Sequence, residues 1–510
     1  MKPKLTLAAS VAFAAIMACG CTEQAHTTFH NPVIQAELAD PSVIRDGNVF
    51  YATGTSSEWA PFYPIYRSED LVNWDQVGHV FDKAPEWTMG SFWAPELFQL
   101  NGKTLCYYTA RRAADRKSCI AVAVADSPEG PYTDCGVLVD IGSEEIDGFV
   151  FNDEGKLYIT WKAYGLDRRP NEILGCRLSD DGLSLAGEPF SMHVDTERIG
   201  SEGQSIIKEG EWYHLIWAAR GCCGAGSDYE VRTARAKAFE GPYEDFSGNP
   251  VLMGQSEGVK SIGHGTPVRT DDGRIFYLSH AYLEGNGFQM SRVPFLSELV
   301  LNEEGWLVCK TGRIAQIQQE TPFDGTLQAF RTIVDDDFYD DKLDPSWCWN
   351  YEDNKIRAYS AGGELRIGGE PTGADGCGTA FCQRIFCVDY DIEMSAAVVP
   401  GKETGVTLYG DARNHAELIS DGSRLILKET VDGNTVTISE CECEAIEVTF
   451  KVRMEDGTSA SFSAEAGGKS YELGSLDAKV LNRWDRTFRP GIWTTATPDR
   501  PSIVHDFLME

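Results

Sequence analysis

The chain runs to 510 residues, 42% of them hydrophobic, with a formal net charge of -33 at pH 7. That length holds more apolar side chain than one ordinary core, so two domains are expected. So acidic a surface argues against nucleic acid, anionic lipid or an acidic polymer as partner, and is compatible with a neutral one.

The N-terminus reads as an export signal. Met1, Lys2 and Lys4 make a basic start, Leu5 to Met17 form a nearly continuous apolar run too short to span a bilayer, and small residues close it. Ile16-Met17-Ala18-Cys19 resembles the lipobox of bacterial lipoproteins, and Ala18-Cys19-Gly20-Cys21 is a second candidate, so Cys19 (or Cys21) is the expected lipid anchor. Residues 1–20 are assigned to the signal and 21–29 to a polar tether, which places the protein in the periplasm or at the cell surface. No later stretch is apolar for long enough to cross a membrane, so membrane contact is confined to the anchor. The other cysteines are scattered and odd in number, and Cys222-Cys223 and Cys441-Glu442-Cys443 lack zinc-site companions. They read mostly as buried small hydrophobes or occasional disulfides, with no pair assigned.

From residue 30 to 325 a module recurs roughly every fifty to sixty residues. A polar or acidic opening is followed by a strand, a tight turn and an alternating aromatic and β-branched strand. The openings are Asp40-Pro41-Ser42, Trp93-Ala94-Pro95-Glu96, Asp147-Gly148-Phe149, Glu202-Gly203-Gln204 and His264-Gly265-Thr266. Their hairpin turns include Asp46-Gly47, Asn101-Gly102 and Asp272-Gly273, the strongest local hairpin signal. Ser127-Pro128-Glu129-Gly130-Pro131-Tyr132 is echoed by Ala238-Phe239-Glu240-Gly241-Pro242-Tyr243, again as turns. Five such units read as five four-stranded blades around a channel, and the absence of helical periodicity argues against a βαβ fold.

Asp40, Asp147 and Glu202 each open the first strand of a blade. First strands of a propeller start around one end of the channel, so acids far apart in sequence converge there. Glycosidic hydrolysis needs such a set: one carboxylate to activate water, one carboxylic acid to protonate the leaving oxygen, and a neighbouring charge to keep that acid protonated. Taken singly each is one of 78 acidic residues, most of them turn or surface groups; the repeated register is what distinguishes these three.

With these motifs in place, the chain resembles glycoside hydrolase family 43, a group of inverting five-bladed-propeller enzymes. The resemblance rests on Ala39-Asp40-Pro41-Ser42, Trp93-Ala94-Pro95-Glu96, Ile146-Asp147-Gly148, Ser201-Glu202-Gly203 and Gly263-His264-Gly265, in family order. It implies Asp40 as general base, Glu202 as general acid and Asp147 as the ionised group that orients Glu202 and tunes its pKa. An inverting pair is expected about 6.5–9.5 Å apart. The resemblance implies no organic cofactor. It places His264 in the central channel, where a Ca²⁺ approached through water is an option that a lone histidine does not define. Phe92 and Trp93 are candidate stacking faces for the terminal sugar, with packing between blades as the other reading. Arg292 resembles a fifth-blade arginine that contacts sugar hydroxyls. Trp59, Trp161 and Tyr229 line the rim or fill the structure.

Beyond the repeat, residues 326–510 show short alternating strands, among them Gly363-Glu364-Leu365-Arg366-Ile367 and Gly405-Val406-Thr407-Leu408-Tyr409. This predicts an antiparallel β-sandwich, resembling the concanavalin-like jelly roll appended to family xylosidases and arabinofuranosidases. In such relatives it walls the pocket, which favours attack on chain ends; a separate carbohydrate-binding role is the alternative. The whole chain is thus expected to be all-β: an exported inverting exo-glycosidase acting on neutral plant oligosaccharide or polysaccharide as a β-D-xylosidase or α-L-arabinofuranosidase. An endo-arabinanase or exo-galactanase of the same fold, and a non-catalytic glycan-binding lipoprotein, are the alternatives.

Overall fold

A computed structural model describes residues 27–163, 170–255, 258–323, 332–351, 354–371 and 377–510. The signal region, the two anchor cysteines and the domain boundary at residues 325 and 326 lie outside them. The described chain is all-β apart from two short 3₁₀ turns.

Five antiparallel sheets follow one another in sequence order. Their first strands are Ala39–Asp46, Trp93–Leu100, Ile146–Asp153, Glu202–Glu209 and Val259–Arg269, and each is hairpinned to a second strand: Val49–Thr55, Lys103–Arg111, Lys156–Ala163, Trp212–Ala219 and Ile275–Leu283. The first strands pack on one another in a ring, which makes them the inner strands of a five-bladed propeller. Between successive blades lies one apolar cluster each, for example Leu105, Tyr107, Ile159 and Trp161 between blades 2 and 3, and Phe149, Tyr158, Leu215 and Trp217 between blades 3 and 4. Alternation along each strand produces these seams, because a blade is covered on both faces by its neighbours. Each fully buried aromatic in a seam contributes on the order of 1.5–3 kcal/mol. Thr28–His30, the end of the stretch read as tether, pairs with Gln318–Glu320 beyond blade 5.

All five inner strands carry the same irregularity. Ladder pairing starts at Ala39–Thr55, Trp93–Thr109, Ile146–Lys162 and Glu202–Ala218 in the first four and then slips; the fifth starts earlier, at Val259–Leu283, and slips in the same way after Gly263–His280. The residue after each of these first-strand positions is left-handed: Asp40 (φ 49°), Ala94 (φ 40°), Asp147 (φ 60°), Gly203 (φ 57°) and His264 (φ 40°). A bulge of this kind turns a side chain out of the pleat, and four of the five residues hold the conformation against the usual Cβ penalty.

The second domain is a sandwich of two sheets over a core that includes Leu365, Phe381, Met394, Leu408, Leu418, Phe450, Phe462 and Phe507. One sheet borrows a strand from the propeller: Trp59–Ala60, just beyond the second strand of blade 1, pairs with Cys348–Asn350. Trp59 thereby enters a cluster with Tyr409, Ile419 and Trp493 on the outer face of that sheet. The domains are thus joined by backbone pairing as well as by packing. Cys222 and Cys223 are disulfide-bonded to each other, and most of the other described cysteines are buried.

Candidate active site

The bulges bring Asp40, Asp147, Glu202 and His264 together at one end of the channel. Asp40 is the most heavily bonded. Arg292 Nη1 lies 3.2 and 3.1 Å from its two carboxylate oxygens, the Thr55 hydroxyl donates to Oδ2 at 2.7 Å, and His264 Nδ1 is 3.3 Å from Oδ1. Burial pushes this carboxyl up, but Arg292 and His264 outweigh burial and hold it well below the usual carboxylate range. Asp40 is therefore ionised at neutral pH. Its backbone N–H donates to His280 Nδ1 at 3.0 Å. Burial drives His280 down to about 3, so the ring is neutral, and its approach to the Asp40 carboxylate is no ion pair.

Glu202 is held by two groups. Lys162 Nζ lies 2.5 Å from Oε2, and the Tyr229 hydroxyl donates to Oε1 at 2.9 Å. Burial raises this carboxyl, and Lys162 with Tyr229 more than reverses the rise. Asp147 accepts from the Gly203 backbone N–H at 2.9 Å and donates its own N–H to the Thr109 hydroxyl at 3.2 Å. Burial, with the charges of Glu202 and Asp40, lifts it to about 6 against the opposing pull of His264 and Lys162. The expectation put the charge on Asp147 and the proton on Glu202. Here the Lys162 cation stands against Glu202 and draws its carboxyl down, while burial and the neighbouring charges raise Asp147. The two carboxyls titrate as a pair, so the proton they share below about pH 6 belongs to both.

Charge balance explains how three acids stay buried together. His264 is lowered by burial but carried to about 9 by Asp147, Asp40 and Glu202, so it is charged at neutral pH. Lys162, His264 and Arg292 thus face Asp40, Asp147 and Glu202, three cations against three carboxyls. A charged imidazole has no lone pair for a metal, and Arg292 stands beside Asp40, so these residues do not fit a directly bound Ca²⁺. Among the described residues no group of three or more His, Cys, Asp and Glu is arranged around a common metal position.

The remaining candidates fall elsewhere. Phe92 is fully buried, its ring 4.0 Å from Phe62 and edge-on to Tyr351. Trp93 is partly exposed beneath the Arg111 guanidinium. Trp161 fills the seam between blades 2 and 3, and Trp59 the domain junction. Glu96, buried in the channel, is pushed up to about 8 by burial and meets the Thr266 hydroxyl at 3.3 Å.

Lys162, Thr55, Thr109 and His280 were not singled out from sequence. All four occupy one position of the repeat, on the second strand opposite the first-strand residue that precedes the bulge. From there three of them reach the next blade's bulge: Thr55 accepts from Ala94 N at 2.8 Å, Thr109 from Asp147 N, and His280 from Asp40 N. Lys162 reaches Glu202 in the same way. A polar residue ending an otherwise apolar second strand in most modules was the signal available.

The sandwich reaches the same end of the channel. Between Leu481 and Arg489, Asp485 accepts from the Ser57 hydroxyl at 3.2 Å and, through its backbone carbonyl, from Tyr282 at 3.1 Å, while Tyr282 accepts from Gly224 N at 3.0 Å. Arg489 pairs with Glu37 at 2.8 Å, and Glu37 also accepts from Ser291 next to Arg292. Blades 1, 4 and 5 are therefore tied to one sandwich loop at the rim of the site.

Five blades carrying buried carboxyls at one end of a channel define a glycoside hydrolase of the propeller type, and comparison with known proteins agrees. The family model Glycosyl hydrolases family 43 matches residues 29–307, and that of the Beta xylosidase C-terminal Concanavalin A-like domain matches residues 335–496. The chain belongs to glycosyl hydrolases family 43, and its sandwich is the concanavalin-like domain. A Xylan 1,3-beta-xylosidase of Vibrio sp is 30% identical over 58% of this chain and 60% of that protein. The Non-reducing end alpha-L-arabinofuranosidase BoGH43B of Bacteroides ovatus is 25% identical over 90% of this chain and 89% of its own. The chain thus spans about three-fifths of the length of the first relative and nearly all of the second. The structure of the family 43 protein BlXynB (K247S) from Bacillus licheniformis superposes with a TM-score of 0.81 at 22% identity, covering 95% of this chain and 99% of that one, which shows the shared fold.

Proposed function

We propose that the protein is an inverting exo-glycosidase that releases xylose or arabinose from plant hemicellulose, with Asp40 as general base and Glu202 as general acid. The observation that carries this reading is the unequal treatment of the acids. Arg292 and His264 hold Asp40 as a carboxylate, suited to take a proton from water, whereas Asp147 and Glu202 share one proton below about pH 6. Glu202 must carry that proton when the glycosidic bond breaks. The Lys162 contact then loosens as the glycosidic oxygen takes its place, and Asp147, freed of the proton, balances the charge. Attack by water on the face opposite Glu202 inverts the anomeric centre.

The sandwich loop at the rim supports attack at chain ends, since a wall on one side of the channel mouth interrupts a through-running groove. The names of the two relatives above supply the sugar classes. Export as a lipoprotein anchored at Cys19 or Cys21 remains part of the proposal and rests on the N-terminal sequence.

The deciding measurement is sugar release from aryl β-D-xyloside and aryl α-L-arabinofuranoside by the wild-type chain and by Glu202→Gln, with the first-formed anomer read by NMR. Release of an inverted anomer that disappears in Glu202→Gln supports the reading, and the ratio of rates names the sugar. Retained configuration, or release undiminished in the variant, overturns it.

A further inference from the structure

The sheet that borrows Trp59–Ala60 turns one face to the sandwich core and the other outward. Along Asn414–Ser420 the alternation is strict: Ala416 and Leu418 point into the core, and His415, Glu417 and Ile419 point out. Lys428 and Thr430 continue the outward row on the next strand, opposite Glu417 and His415. Together with Glu403 and Trp493 these residues line a pocket of about 470 Å³. It shares no residue with the channel site.

The pocket is built rather than incidental. His415, Tyr409 and Trp493 form a triangle of rings, with His415 5.7 Å from Tyr409 and 5.1 Å from Trp493 and those two 6.3 Å apart between ring centres. Lys428 and Glu403 close one side as an ion pair of 2.5 Å, and the Thr430 and Thr435 hydroxyls bond each other at 2.9 Å. Within this frame two buried polar groups lack partners. Glu417 is 3% exposed, and its Oε2 has no hydrogen bond, the nearest imidazole nitrogen standing off at 3.6 Å. Trp493, also 3% exposed, has no acceptor for its indole N–H. Folded proteins seldom leave such groups unpaired, and a ligand is one way they are satisfied.

The charges say what kind of ligand fits. Glu403 cancels Lys428, and at the rim the Arg413 guanidinium donates to the Asp432 backbone carbonyl, with one acidic side chain there for one basic. Burial lowers His415, leaving it neutral, and pushes Glu417 well above the carboxylate range, leaving a neutral acid that both donates and accepts. An ionic ligand has no net countercharge here, whereas hydroxyls can pair with a carboxylic acid, an indole N–H and threonine hydroxyls at once.

We propose that this pocket on the outer face of the sandwich is a second, non-catalytic saccharide site for a neutral pentose oligosaccharide, held by Glu417, Trp493 and the Lys428–Glu403 pair. The choice of pentose rests on the reading of the channel given above; the pocket itself does not. It lets the chain hold its substrate while the channel works on free ends.

The test is calorimetric titration of the full chain carrying Glu202→Gln, which retains its sugars uncut, with β-1,4-xylotetraose and with α-1,5-arabinotetraose. Two binding events per chain are expected for at least one of them. Lys428→Met should weaken one event at least tenfold and Glu417→Leu should abolish it. The same two substitutions in the Glu202 chain should leave aryl-pentoside hydrolysis unchanged. Lys428 lies at the pocket edge and serves if Glu417→Leu fails to fold. A single event, or two events that both survive Lys428→Met, overturns the second site. Loss of aryl-pentoside hydrolysis in the wild-type chain would instead count against the channel reading, so the two failures are told apart.

Discussion

Lys162 is 3% exposed at its side chain and its ammonium lies against the Glu202 carboxylate, so the charge of one answers for the charge of the other. Lys162→Met removes the cation that keeps Glu202 ionised. The carboxyl left behind is then raised by burial and by Asp147, and the pair holds its proton to higher pH. The basic limb of the kcat/KM profile is expected to move up by about one pH unit or more. Lys162→Arg, which keeps the charge, should move it far less. An unmoved limb in Lys162→Met would assign the lysine a purely structural part. His264 offers a second test through stability. Its folded value, about 9, lies above its ordinary 6.5, so its contribution is complete below about pH 6.5 and is lost as pH rises through 9. That difference is worth at most about 3 kcal/mol. The wild type should lose melting temperature between pH 6.5 and 9.5, and His264→Gln should lose much less over that window. At this scale the sequence showed the acids and His264, because they open repeats. It did not show Lys162. A lone lysine ending Leu157-Tyr158-Ile159-Thr160-Trp161 reads as a strand end emerging into solvent, and only its place beside Thr55, Thr109 and His280 reveals that it points inward to the next blade.

The bulge in each inner strand is the device that turns a repeat into a site. It costs conformational strain at four non-glycine residues, roughly 1–3 kcal/mol each, and seam packing holds it in place. Where the fourth blade has glycine there is a second reason. A Cβ on Gly203 would meet the His264 ring at 2.4 Å, in addition to its left-handed φ of 57°. Gly203→Ala should therefore displace His264 from Asp40 and Glu202 from Lys162 together. A displacement near 1 Å lowers kcat/KM on aryl pentosides by about 10²-fold, with the larger part expected in kcat. Thr109→Val is the milder companion. It removes the acceptor of the Asp147 N–H and leaves that buried group unpaired, at a cost of about 1–3 kcal/mol read as a lower melting temperature. The hairpins were legible from their turns, and so was the number of blades. The bulges were not, since Asp-Pro, Asp-Gly and Glu-Gly openings read equally well as ordinary turns until the ladder slips are seen.

At the level of the whole molecule, the sandwich completes the propeller's front. The sandwich loop places Asp485 and Arg486 against blade 1, where Arg486 is buried with Asp485 at 2.9 Å and feels Glu58, which in turn accepts from Ser91 N beside Phe92. The two-residue strand Trp59–Ala60 that crosses between domains was hidden in the sequence, because so short a pairing has no period of its own and depends on where Cys348–Asn350 arrives from nearly three hundred residues away. Asp485→Ala tests whether this junction supports the site. It leaves Arg486 as a buried cation without its closest partner, a change worth about 3–5 kcal/mol in comparable buried pairs. It also removes the Ser57 contact at the channel rim. Calorimetry of the wild type should show the two domains melting in one transition, since backbone pairing and buried ion pairs couple them. In Asp485→Ala the transition should fall in temperature and separate into two. KM for aryl pentosides should rise more than kcat falls, because the loop borders the mouth and leaves Asp40 and Glu202 untouched. A single transition at the wild-type temperature with unaltered KM would mean that the loop merely lies on the propeller.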